Sequence, residues 1–306
     1  MYYSDGHCDF LYAMANEGAD LMLPNGRQSV SYERMARGGV CLQLFAAWID
    51  MGHRLGPVQQ FLVMADAYER MLAACPELTP LTPDFDPASG RIATVLTIEG
   101  GEAVEGREEL LRTAYRLGVR AMTLTWNTRN ELANPALKRD RRGLTFLGKR
   151  IVREMGRLGM AVDVSHLNDA GIDDVLSEDV PVFASHSNAR AECASPRALC
   201  DEHIREIARR GGTVGVNFYH KQLTGTGSAG IPDVVRHALH ILKVGGPECL
   251  AIGSDFDGMP QYPEGLKNPA DLPNLGAALE KAGLTGQVLE AACYKNLLRF
   301  MKSLCG

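Results

Sequence analysis

Short apolar runs rich in β-branched residues alternate with stretches of helical period along most of the 306-residue chain. Eight runs read as strands: "YYSDGHCDF", "GVCLQLFAAW", "IATVLTIE", "VRAMTLTW", "MAVDVSH", "PVFASH", "TVGVNFY" and "LAIGSDFDG". Helical period is plainest over Leu144–Leu158. There Leu144, Leu147, Ile151, Met155 and Leu158 recur every three or four residues, and Gly159 is placed to end the helix. Glu108–Leu117 stops in the same way at Gly118. Asp201 reads as the N-cap of "EHIREIARR", which ends at Gly211 and Gly212. Two further helices are predicted through "DVVRHALHILK" and "QVLEAACYKNLLRFMKSL". Strand and helix repeated about eight times predict an α/β fold, a (β/α)8 TIM barrel spanning 1–306 as one domain. A doubly wound open sheet is the rival, but it would use one crevice rather than many strand ends.

The polar residues fall where a barrel would need them. His7 and Asp9 lie at the end of the first run, two positions apart, so on a strand they would share one face while Cys8 turns away. Glu99 ends the third run, His166 the fifth, His186 the sixth and Asp255 the last. In a barrel all C-terminal strand ends meet on one rim, so six metal-competent side chains would converge there. Long loops leave the same ends: "NTRNELANPALKRDRRG", "HKQLTGTGSAGIP" and "FDGMPQYPEGLKNPADLP". Such loops are expected to wall in the rim and shape a pocket.

Composition narrows the partners. The net charge of -5 and the lack of a basic stripe argue against nucleic acid. No apolar run approaches the roughly 20 residues a membrane span needs, and the N-terminus shows no basic region followed by an apolar core. A cytoplasmic protein with no membrane partner is therefore expected. The eight cysteines form no CxxC pair and read as free thiols.

Three histidines and two or three carboxylates exceed the needs of one four-coordinate catalytic zinc. They suit two divalent ions sharing a carboxylate, a pair able to hold a hydroxide nucleophile and polarise a carbonyl. Nitrogen and oxygen donors without thiolate fit zinc, manganese, cobalt or iron(II).

Together "DGHCDF", "TIEGGEAV", "DVSHLND", "FASHSNARA", "NFY" and "IGSDFDG" resemble the membrane (renal-type) dipeptidase family, peptidase family M19, and "LTWNTRNELA" resembles its bacterial branch. The likeness runs through almost the whole chain in the family's order. It implies an amidohydrolase-like metal-dependent barrel that hydrolyses dipeptides with two zinc ions, and a C-terminal D-residue would be tolerated. His7 and Asp9 would bind one ion, His166 and His186 the other, and Glu99 would bridge them. Asp255 would handle the proton of the bridging hydroxide and meet the substrate's amine. Arg197 would grip the terminal carboxylate with its planar fork, and Tyr219 would make a second substrate contact. Family members are often dimers, so a homodimer is expected.

One departure stands out. Where mammalian members carry a carbonyl-polarising histidine in "LTLTH", this chain reads "TLTW", with Trp126 in that place and Asn127 next. Either the indole N–H, Asn127 or the metals would then stabilise the oxyanion, making Trp126 and Asn127 candidate substrate contacts. Two alternatives follow: hydrolysis of N-acyl amino acids, lactams or lactones, or a barrel that binds metal and peptide with weak turnover.

Other polar residues read as ordinary. Asp257 is expected to cap the turn after Asp255, and Arg190 to contact a carboxylate or form a rim salt bridge. His237 and His240 are expected on a partly exposed helix face, while His53, His203 and His220 show no functional partner.

Overall fold

The computed structural model describes residues 1–305. Nine parallel strands appear in chain order: β1 (Tyr3–Asp5), β2 (Val40–Trp48), β3 (Leu78–Pro80), β4 (Ile92–Glu99), β5 (Val119–Thr123), β6 (Ala161–Asp163), β7 (Val182–Phe183), β8 (Val214–Val216) and β9 (Leu250–Ile252). Their order around the sheet is β7-β6-β5-β4-β2-β1-β9-β8, with β3 appended to β4. Ala184 closes the ring by donating its N–H to Thr213 and accepting from Gly215. The result is a nearly closed (β/α)8 barrel.

Eight of the strands coincide with the eight runs read from the sequence, and most are shorter than their apolar runs. The ninth, β3, was not anticipated: three residues ending in proline are too few to show alternation. β1 ends at Asp5, so His7 and Asp9 lie beyond it. Cys8 pairs by a single bridge with Phe256, and Asp9 sits at the N-cap position of the helix Phe10–Asn16.

The helix Phe146–Leu158 has Thr145 as its N-cap, accepting from Gly148 N–H, and Gly159 as a left-handed C-cap. The helix Asp201–Arg209 corrects a sequence expectation. Cys200 holds the cap position and makes no side-chain cap bond, while Asp201 accepts from His240 Nε2 at 2.8 Å instead. The last amphipathic segment is not one α-helix. It passes through a π-turn at Ala291–Lys295 between Gly286–Glu290 and Asn296–Lys302.

The two ends of the barrel differ in chemistry. At the N-terminal end, the small side chains of Ala93 in β4, Ala121 in β5, Ala161 in β6 and Ala251 in β9 share one cluster with Leu297, Phe300 and Met301 of the C-terminal helix. Phe300 meets Phe183 with ring centroids 5.2 Å apart. Burying those side chains removes apolar surface from water at about 25 cal/mol per Å² and seals that end. Inside, Gly215 and Gly253 press on the Ser185 carbonyl so closely that a Cβ on either would lie 2.1 or 1.9 Å from its oxygen. The backbone packing there allows no side chain, which draws β7, β8 and β9 together below the opposite rim. No described helix is long and apolar enough to cross a membrane.

Candidate active site

Every strand-end residue singled out above reaches the C-terminal rim. His7 Nε2 lies 3.5 Å from Asp9 Oδ2, 3.5 Å from Glu99 Oε2 and 4.0 Å from Asp255 Oδ1. The other Glu99 oxygen, Oε1, faces His166 Nε2 at 3.0 Å and His186 Nε2 at 3.5 Å. His7, Glu99 and His186 are each at most 3% exposed. Six donors from five strand ends thus form one buried cluster, with Glu99 between two histidine groups.

Neighbouring side chains set which ring nitrogens carry protons. His166 Nδ1 faces Asn127 Oδ1 at 2.9 Å and donates to it. His186 Nδ1 lies 2.6 Å from Ser185 Oγ, and that hydroxyl donates to Asp163 Oδ2 at 2.5 Å. Both Nε2 atoms are therefore left with lone pairs, which face each other at 3.0 Å beside Glu99. Opposed lone pairs next to a carboxylate repel unless a cation joins them. His7 Nε2 and Asp9 Oδ1 are also buried without a hydrogen-bond partner, a costly state for polar atoms that a metal ion relieves. Three overlapping sets, His7–Asp9–Glu99, Glu99–His166–His186 and His7–His186–Asp255, place their donor atoms within 4.8 Å of one another. The residues present fit divalent ions.

The electrostatics follow from crowding. Burial, then Arg197, hold His166 down at about 4, and burial with His7 beside it holds His186 well below its ordinary value. For His7 the pull of burial is overcome by Glu99 and Asp9, which raise it. Burial lifts Asp9 to about 6, with Glu99 adding repulsion. Such opposed shifts are typical of groups massed for a function.

Two features of the rim were not legible beforehand. His166, Asp255 and Asp257 have φ of 68°, 65° and 64°, in the left-handed region. For residues other than glycine this costs on the order of 1–3 kcal/mol each, and it bends each chain sharply where its strand ends. Supporting residues were missed as well. Asp163 accepts from the N–H groups of Ser165 and Ser185, both at 2.9 Å, and from Thr123 Oγ1 at 3.1 Å. Asp5 does the same work below His7, accepting from Ser254 N–H at 2.8 Å and Ser254 Oγ at 2.5 Å. Asn217 Nδ2 donates to Asp255 Oδ2 at 3.1 Å, which leaves Oδ1 facing the cluster. The signal for Asp163 was its place at a strand end in "DVSH", three residues before a ligand-type histidine.

A cavity of about 300 Å³ opens over the cluster. Trp126, Asn127, Arg197 and Tyr219 all line it. Arg197 is 4% exposed, and burial lowers its pKa to about 10. Nη1 donates to Ser187 Oγ at 2.6 Å and Nη2 to the His186 carbonyl at 2.9 Å. Nε has no partner. Trp126 packs edge-on against Trp48, ring centroids 5.0 Å apart.

Several ordinary readings need adjusting. Asp257 does not cap its own turn: its carboxylate accepts from the N–H groups of Ser29 and Val30, tying that distant loop to the rim. His237 is fully buried rather than partly exposed, accepting from Ala189 N–H and donating to the Leu223 carbonyl. Arg190 forms a rim salt bridge with Asp169 at 2.6 Å. All eight cysteines are free.

The chain is similar to known proteins over most of its length. Residues 1–304 match the family model described as membrane dipeptidase (peptidase family M19). An uncharacterized dipeptidase of Schizosaccharomyces pombe is 38% identical over 222 residues, 70% of this chain and 53% of that protein. Dipeptidase 3 of Rattus norvegicus is 31% identical over 314 residues, 98% of this chain and 64% of that protein. The chain thus spans between about half and two-thirds of the length of these relatives. Among solved structures, a metallo peptidase from Rhodobacter sphaeroides, liganded with a phosphinate mimic of the dipeptide L-Ala-D-Ala, superposes with a TM-score of 0.91 at 26% identity, covering 99% of each chain. The dipeptidase AC, a family M19 metallo peptidase, superposes with a TM-score of 0.92 at 28% identity, covering 100% of this chain and 99% of its own.

Proposed function

The chain belongs to the membrane dipeptidase family, peptidase family M19, and from that premise we propose that it is a two-metal dipeptidase. The observation that carries this reading is the position of Glu99. Its two oxygens face separate histidine groups, His7 on one side and His166 with His186 on the other, as a carboxylate shared by two ions must. In this reading His7 and Asp9 complete one site and His166 and His186 the other, with zinc as the ion. When bound, the two ions would supply Lewis-acid polarisation of the peptide carbonyl and a water acidified for attack.

The protein's own groups do the rest. Arg197 is braced by Ser187 and the His186 carbonyl, and it lines the cavity, where its guanidinium would receive the substrate's terminal carboxylate. A guanidinium held in place before binding loses little freedom on engaging its partner. Asp255 Oδ1 takes the proton from the attacking water and delivers it to the departing amine, while Asn217 keeps the other oxygen occupied. Asn127 orients His166 through its ring N–H. Tyr219 and Trp126 contribute walls that keep bulk water away from the carbonyl. A mimic of L-Ala-D-Ala occupies the Rhodobacter structure, and by that likeness a D-residue at the C-terminal position is accepted here.

Hydrolysis of a small panel by zinc-reconstituted protein tests the reading. L-Ala-L-Ala and L-Ala-D-Ala should be cleaved, and N-acetyl-L-Ala-L-Ala, which lacks a free amine, should not. Cleavage of the acetylated compound alone would assign the protein to hydrolysis of N-acyl amino acids. The bracing of His186 gives a second test. Asp163→Asn is expected to weaken zinc binding about 10–100-fold, the usual effect of losing an outer hydrogen-bond partner. Competition against a fluorescent chelator would measure it, and unchanged affinity would remove Asp163 from the metal site.

A further inference from the structure

The cavity has one cationic end and one aromatic, acidic end. Among the described residues, Arg197 is the only Lys or Arg lining it, and it follows β7. Around the ring, β7 stands across from β2 and β6 across from β1. Trp48 ends β2, Tyr12 follows β1 and Trp126 follows β5. Trp48 and Tyr12 therefore lie on the side of the barrel opposite β7 and β6, across the metal cluster from Arg197, and Trp126, two strands from β7, flanks the cluster and joins Trp48 from the side. The rings touch in series, Tyr12 to Trp48 at 4.7 Å and Trp48 to Trp126 at 5.0 Å between centroids, each pair edge-on.

A dipeptide with its carboxylate on Arg197 and its peptide bond over the cluster would extend its N-terminal residue toward the side of the cavity lined by Tyr12 and Trp48. On that side is also Glu17, immediately after the helix Phe10–Asn16. Five carboxylates line the cavity: Asp9, Glu17, Glu99, Asp255 and Asp257. Asp9, Glu99 and Asp255 belong to the metal cluster, and Asp257 holds Ser29 and Val30. Glu17 is exposed and has no such duty. Tyr12 donates its hydroxyl to Asp50 at 3.2 Å, so a second carboxylate adds to the negative field at this end.

We propose that the Tyr12–Trp48–Trp126 wall and Glu17 form a recognition site for a long cationic side chain, arginine or lysine, on the N-terminal residue of the substrate. The rings take the apolar stem and the face of the cation, and Glu17 takes its charge. The inference rests on the dipeptidase reading for the direction in which the substrate lies.

Citrulline is nearly isosteric with arginine and uncharged, so L-Arg-L-Ala against L-citrullinyl-L-Ala isolates the charge. Exposed ion pairs are worth up to about 1 kcal/mol, so kcat/KM should favour Arg-Ala by about fivefold at low salt. Glu17→Gln should bring that ratio near one, Glu17→Lys should invert it, and raised salt should shrink it in the unmodified protein. Affinities of the same two peptides for zinc-loaded Asp255→Asn, measured by calorimetry with and without Glu17→Gln, give a readout that needs no turnover. A ratio near one in the unmodified protein, or one indifferent to residue 17, would overturn the proposal. If no dipeptide is cleaved but the affinity ratio follows residue 17, the dipeptidase reading falls and the recognition site stands.

Discussion

Asp255→Asn is expected to lower kcat for dipeptide hydrolysis by on the order of 10²–10⁴-fold, the range for losing a positioned acid–base group. The substitution keeps the shape of the side chain and its tie to Asn217, but an amide cannot accept a proton from the attacking water. Bound zinc should stay near two ions per chain, because His7, Asp9, Glu99, His166 and His186 are untouched. The informative pattern is a fall in kcat with KM little altered, measured beside metal content on the same preparation. Turnover within a few-fold of the unmodified protein would mean that another group moves the proton.

Glu99→Gln should have the larger effect on metal. An amide offers one neutral oxygen where a carboxylate offers two charged ones, and its NH₂ would be forced against either His7 or the facing His166 and His186 nitrogens. Zinc retained after dialysis should drop from two ions per chain to one or none. Its affinity should fall by more than the 10–100-fold typical of outer-shell changes. Metal analysis alongside circular dichroism separates this from unfolding. Retention of both ions with a folded chain would defeat the bridging role.

The rim was more legible than its foundations. His7 and Asp9 were paired by strand alternation, yet β1 stops at Asp5 and the two meet from a loop and a helix cap. The two still meet: Cys8 between them bridges to Phe256, and His7 Nε2 lies 3.5 Å from Asp9 Oδ2. Glu99, His166, His186 and Asp255 were visible because each ends an apolar run, a pattern that survives however short the strand proves. Asp163 and Asn217 share that pattern, and nothing in a sequence separates the residue that touches an ion from the one that steadies its neighbour. That distinction is a matter of an ångström or two.

His237 was misplaced for a related reason. The period of its helix allows several faces, and only packing shows that its two nitrogens serve buried backbone groups. The π-turn at Ala291–Lys295 has no glycine or proline to announce it.

The left-handed backbone at His166 and Asp255 sets folding and chemistry against each other. At both positions glycine would adopt the same turn without the steric penalty a side chain incurs. Under the proposed function, selection for turnover is what would keep an imidazole and a carboxylate there. In a lineage released from that selection, drift would be expected to favour glycine at these two sites early, because loss of function and gain in stability would coincide. Glycine in place of either residue would therefore mark, among related barrels, those that have kept the architecture and abandoned the reaction.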